Sequence, residues 1–146
     1  MKILLVSKAC YVAVYRKKLE ELSSLPDLEL TLLVPPYWRT GKHKALFEPG
    51  IDHGYDLVIE NPVLNCNFHL HFYHKLSRLL TALRPDLLHV EEEPYDLVTF
   101  HALRCAKRLE VKTLFFTWQN IERRFPPPFC WFERYVLSHS AGAIAG

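Results

Sequence analysis

The chain has 146 residues, the length of one domain, and its 49% hydrophobic and 23% charged residues allow an ordinary core and exclude a disordered chain. A net charge of +2 is too small to argue for nucleic acid, and no apolar stretch is long enough to cross a bilayer. Cys10, Cys66, Cys105 and Cys130 form no CxxC pair, and no signal-peptide pattern opens the chain, so four free thiols in a reducing, cytoplasmic setting are expected.

In chain order, strand and helix signals alternate. Residues 3–6 are a continuous apolar run, as for a parallel strand buried on both faces. After a short loop, Val12, Tyr15, Leu19 and Leu22 recur at helical spacing, with Arg16, Lys17, Lys18, Glu20 and Glu21 on the opposite, solvated side. Residues 28–34 predict a second strand, stopped by Pro35 and Pro36. Residues 37–54 read as a long mobile loop, broken by Gly41, Pro49, Gly50 and Gly54. Its Arg39, Lys42 and Lys44 beside Trp38 and Phe47 can touch anionic lipid or a ligand.

Residues 55–59 predict a weaker strand. Phe72, Leu76, Leu79, Leu80 and Leu83 mark a helix ended by Pro85. Residues 86–90 are a fourth strand, and Val98, Ala102, Cys105, Ala106 and Leu109 give an amphipathic helix. Residues 111–117 are a fifth strand, rich in β-branched and aromatic side chains. Three prolines lead into a helix at 129–137, whose nearly all-round apolar surface predicts buried packing, with a membrane-facing patch of Trp131, Phe132 and Tyr135 as the alternative. Residues 143–145 are a sixth strand.

The pattern predicts a doubly wound, Rossmann-like α/β domain with a parallel sheet and helices on both faces. In the order 3-2-1-4-5-6 the binding crevice lies at the carboxyl ends of the first and fourth strands. Residues 7–11, 91–95 and 118–124 would line it. The first loop has no glycine, which argues against a dinucleotide or P-loop site. Lys8 is either an anion ligand there or a solvated lysine. Of Glu91, Glu92 and Glu93, one can accept from sugar hydroxyls; alternatively Glu93 only leads into the next helix, where Asp96 favours the positive end. Trp118, Gln119 and Asn120 suit a carbohydrate, and Arg123 and Arg124 a phosphate or acid; the bland alternative is a loop with Trp118 in the core. His69, His71 and His74 lack a ligand spacing and a nearby acid, so they are expected to be surface or capping histidines, with no metal.

The segments at residues 85–94, at 116–120 with 124–129, and at 132–137 with 141–146 resemble the "PDxxHxxEP", "TWQN…YPPP" and "ERYVL…ADAIIAG" segments of family 4 glycosyltransferases. That resemblance implies one half of a GT-B fold. Residues 1–146 would be a fragment, the N-terminal acceptor-side domain of a retaining transferase, inactive without a C-terminal donor-binding domain. It implies a nucleotide-sugar donor held mainly by that other domain, no further cofactor, and a sugar, lipid-linked sugar or small-molecule acceptor. It further implies no nucleic acid and a cytoplasmic protein with peripheral contact at the inner face of a membrane. Lys8, Glu93, Tyr95, Trp118, Gln119, Asn120, Arg123 and Arg124 are the expected acceptor-binding residues, and no catalytic residue is assigned. The other readings are a nucleotide- or metabolite-binding doubly wound domain of another class and a non-catalytic interaction module.

Overall fold

The computed structural model of the chain describes residues 1–50, 53–119, 121 and 123–146. Six parallel strands form the main sheet: β1 (Lys2–Val6), β2 (Glu29–Val34), β5 (Asp56–Ile59), β6 (Leu87–Val90), β7 (Lys112–Thr117) and β8 (Gly142–Ala145). Their order is β5-β2-β1-β6-β7-β8, so the direction of winding reverses between β1 and β6, as the alternation of elements predicts. A separate antiparallel hairpin joins β3 (Tyr37–Thr40) to β4 (His43–Leu46).

Alternation along β1 divides the core. Leu4 and Val6 face helices α2 (Leu76–Leu83) and α3 (Leu97–Lys107), where they meet Leu76, Leu80, Val98, Ala102 and Ala106. Leu5 faces the other way and packs with Leu19 of α1 (Lys17–Ser23), Leu30 and Leu32. Helix α4 (Phe129–His139) lies beside α3, with Val136 against Leu103 and Phe115. Among the described residues no helix is long and apolar enough to cross a membrane, and all four cysteines are free.

Four expectations need correction. The helix read from Val12 is two 3-10 turns, Ala9–Tyr11 and Ala13–Arg16, before α1 begins. Val12, Val14 and two tyrosines are poor helix formers, and the turns let Arg16 swing inward, where it is 1% exposed instead of solvated. Tyr15 and Leu22, read as the buried stripe, are exposed.

The long loop at 37–54 contains the β3–β4 hairpin. Gly41, at φ +59°, opens its two-residue turn between the paired Thr40 and His43, so that glycine marks a hairpin and not a break. Trp38 is buried and the Arg16 guanidinium lies over Phe47, so neither ring stands beside the exposed Arg39, Lys42 and Lys44 as a surface contact. Phe72 precedes its expected helix and forms a bridge with Val63. Helix α4 is not buried on every side: Trp131 and Leu137 are exposed, while Phe132 stacks on Phe100.

Candidate functional site

The site grows from the place where β1 and β6 end side by side. The Glu91 amide still donates to the Val6 carbonyl at 2.9 Å, and the strands then part. Three successive glutamates follow, and the backbone sends each a different way, which removes the repulsion expected of them. Glu91 pairs with Lys18 on one face. Glu92 turns inward, is buried, and accepts from both the Lys8 backbone N–H (2.9 Å) and the Lys8 ammonium. Glu93 accepts from the Thr117 hydroxyl (2.6 Å) and the Trp118 amide (2.9 Å). It therefore ties β6 to β7, and neither of its oxygens caps the following helix.

Burial pushes the Glu92 carboxyl up to about 7, against the pull of the Lys8 charge. The folded chain thus holds this proton more tightly than an unfolded chain, in which glutamate titrates near 4.5. Stability from this group is full below that value and is lost as the pH rises through 7. Melting temperatures taken between about pH 5 and pH 8 should fall in the native chain and fall less in Glu92→Gln. Equal slopes in the two proteins would remove Glu92 from the account.

The expected convergence of Lys8 with Glu93, Gln119 and Asn120 splits in two. Lys8 belongs with Glu92. Glu93, Tyr95, Trp118, Gln119 and Arg123, with Ile121 and Phe125, line a separate cavity of about 190 Å³. Arg124 lies in a neighbouring hollow with Cys130, Glu133 and Arg134, which Arg123 also borders. Asn120 lies outside the described residues. Trp118 is 70% exposed and so is not core.

Between these two groups stands a pair that sequence spacing did not reveal. His69 Nδ1 lies 2.7 Å from Asp96 Oδ1; the histidine side chain is 54% exposed and the aspartate 3%. Asp96 occupies the N-cap of α3 yet makes no side-chain cap bond; its carboxylate meets the histidine instead. The backbone fastens the same contact, because the Leu97 amide donates to the His69 carbonyl at 2.9 Å. Asn67 Oδ1 accepts from the amides of His69 and Leu70, each at 3.0 Å, which shapes the turn that presents the ring. Tyr95 and Phe129 flank it with centroids at 5.6 and 5.9 Å. Burial raises the Asp96 carboxyl, while the hydrogen bond to His69 and the Lys8 charge lower it.

A carboxylate accepts, so Nδ1 carries the proton and Nε2 of the exposed ring keeps a lone pair. That is the arrangement of a general base oriented by a buried acid. The three histidines thus differ in role. His74 is an exposed partner of Glu60 at 3.4 Å. His71 is fully buried, contrary to the surface or capping role expected, and burial lowers it to about 3. Among the described residues no group of three or more potential ligands is placed to hold a metal. Cys10 is buried beneath the crevice and its thiol is pushed up to about 11, so it is no ready nucleophile.

No family model matches the chain, and no curated protein matches it. Among solved structures it is similar to an isochorismatase-like hydrolase from Alkaliphilus metalliredigens, with 12% identity and a TM-score of 0.53, over 99% of this chain and 91% of that one. It is also similar to a UDP-glucuronic acid 4-epimerase from Bacillus cereus in complex with NAD, with 12% identity and a TM-score of 0.50, over 94% of this chain and 50% of the epimerase. A yeast nicotinamidase aligns at 10% identity and a TM-score of 0.44 over the whole of both chains.

The first of these overturns the resemblance to a GT-B glycosyltransferase: the fold is shared with an isochorismatase-like hydrolase. The expected role as a retaining, nucleotide-sugar-dependent acceptor domain does not hold. The residues that carried the resemblance serve the sheet itself. Asp86 accepts from the Lys2 amide at 2.7 Å beside β1, Glu93 joins two strand ends, and the proline run leads into α4. The chain shares an α/β fold with the first two of those structures.

Proposed function

We propose that this chain is a hydrolase acting on a small molecule, with water activated by the His69–Asp96 pair. The observation that carries the reading is the half-exposed imidazole fixed by a buried carboxylate at the carboxyl edge of a doubly wound sheet, where ligands of such sheets bind. In this reading His69 Nε2 takes a proton from water as the oxygen attacks, and returns it to the leaving group. Asp96 stabilises the imidazolium and holds the ring in place. The Lys8 ammonium, whose charge reaches Asp96, favours negative charge developing nearby. Water is preferred to cysteine as nucleophile because the Cys10 thiol is buried and held protonated. The hydrolase-like fold supports the same class of chemistry.

The test is a panel of small esters, amides and lactones offered to native chain and to His69→Ala, with product followed by mass. Hydrolysis by the native chain that disappears in the variant is expected. A variant that hydrolyses the same compounds at the native rate would refute the role of His69.

A further inference from the structure

Two hollows adjoin beside the His69–Asp96 pair. The cavity of about 190 Å³ is walled by the exposed Trp118 and by Tyr95, whose ring stacks on Phe125 at 4.1 Å. Its neighbour, of about 450 Å³, is bordered by Arg123, Arg124 and Arg134. Arg123 and Phe125 border both. Ring contacts of 5.6 Å from His69 to Tyr95 and 4.1 Å from Tyr95 to Phe125 lead from the imidazole to that shared border. The Arg123 charge acts on the Tyr95 hydroxyl, so the guanidinium stands near the smaller cavity.

The charges around the larger hollow are out of balance. All three arginines are exposed, and among the described residues none of them forms a salt bridge. The only carboxylate bordering that hollow among the described residues is Glu133. Three guanidiniums less one carboxylate leave two positive charges, and a bound anion would relieve their repulsion. The start of α4 adds little, because the amides of residues 129–132 already donate to the Pro126 and Pro128 carbonyls. The guanidiniums remain, and their planar forks fit the oxygens of a carboxylate or a phosphate. A carboxylate balances one charge, whereas a phosphate monoester carries about −1.5 to −2 at neutral pH and balances both. The smaller cavity shapes the rest of the molecule. It has room for one ring, since about 150 Å³ suffices for benzene, and its aromatic walls offer faces to stack on. Glu93 brings a negative charge to that cavity, which turns an anionic group away from it and toward the arginines.

We propose that Arg123, Arg124 and Arg134 hold a phosphate-monoester group of the substrate, while the body of that molecule lies in the cavity between Tyr95 and Trp118. The phosphate is an anchor and is not itself cleaved; the bond to be hydrolysed lies at the end of the molecule nearest His69. The assignment to a substrate rests on the hydrolase reading above. The binding of a phosphate monoester does not, because it uses none of the groups of the His69–Asp96 pair.

Benzylphosphonate is a suitable probe. It has one ring, a dianionic head at mildly alkaline pH, and a carbon–phosphorus bond that water does not cleave. Calorimetric titration of the native chain should show saturable binding. Phenylacetate, which keeps the ring but carries a single charge, should bind about tenfold more weakly. Inorganic phosphate, which keeps the charge but lacks the ring, should also bind about tenfold more weakly. Arg124→Gln and Arg134→Gln should each lose about five- to tenfold in benzylphosphonate affinity and keep the melting temperature of the free chain, since both side chains are exposed. Trp118→Ala should weaken benzylphosphonate and leave inorganic phosphate unchanged. The proposal is overturned by the absence of saturable binding, by unchanged affinity in both arginine variants, or by phenylacetate or inorganic phosphate binding as tightly as benzylphosphonate. The probe is read by binding without turnover, so failure here is distinct from failure of the His69→Ala hydrolysis test.

Discussion

Asp96→Asn should slow hydrolysis by roughly 10²- to 10⁴-fold while leaving the chain folded. The effect comes from the tautomer. Asp96 accepts from His69 Nδ1 at 2.7 Å and so reserves the Nε2 lone pair for water. A carboxamide can rotate its NH₂ toward Nδ1, which sends the proton to Nε2 and turns the base into a donor. Stability should move the other way. Burial raises the Asp96 carboxyl, so the folded chain binds that proton more tightly than the unfolded one, and stability from the group is full below the ordinary aspartate value and is lost as the pH rises through the raised one. Removing the charge relieves that cost. A melting temperature held or raised, together with a collapsed turnover number and a changed pH profile of the rate, separates a catalytic contact from a structural one. Loss of less than about threefold with an unchanged profile would exclude Asp96 as the group that orients the base.

Arg16→Met should lower stability by about 3 kcal/mol, or roughly 10 °C in melting temperature for a domain of this size. Methionine nearly replaces the volume, so the loss reports polar contacts more than packing. The guanidinium is buried, donates to the Cys10 carbonyl at 2.8 Å and the Glu48 carbonyl at 2.6 Å, and lies over Phe47 at 4.5 Å. It joins the turns after β1 to the segment just after the hairpin, where the Glu48 amide also donates to the Tyr11 carbonyl. Arg16→Lys should recover little, since a single ammonium cannot span two carbonyls as a planar fork does. A midpoint within about 2 °C of the native value in Arg16→Met would show that the bonds are replaced by water.

The sheet was legible because a parallel strand buried on both faces is continuously apolar, and residues 3–6 and 114–116 are so. The strand order followed from the alternation of elements, since short right-handed crossovers leave few other arrangements. What the sequence hid was the direction of individual polar side chains. Glu91, Glu92 and Glu93 are alike in composition, and only the pleat and the first turn beyond it decide which is buried, which bridges strands and which meets a surface lysine. Arg16 read as one member of a solvated face because periodicity assumes a regular helix, which two 3-10 turns replaced. The His69–Asp96 pair left no local trace: its members are 27 residues apart, and each has an ordinary explanation when considered alone. A clue existed at Asp96, where an acid just before an apolar helical run suggests a cap; the fold assigned that acid to a histidine.

The Lys8–Glu92 clamp spans 84 residues of chain and the histidine–aspartate contact 27. Neither can form by local collapse, because closing loops of that length precedes any reward from the contact. The first strand, its turns and the hairpin can be in place while the polar edge is still unmade. The site therefore comes into being only when β6 docks beside β1 and carries α3 with it. A chain whose β6 never docks beside β1 could keep much of its secondary structure while lacking every group assigned here to chemistry, so the state of the crevice reports on completion of the sheet more faithfully than helix content does.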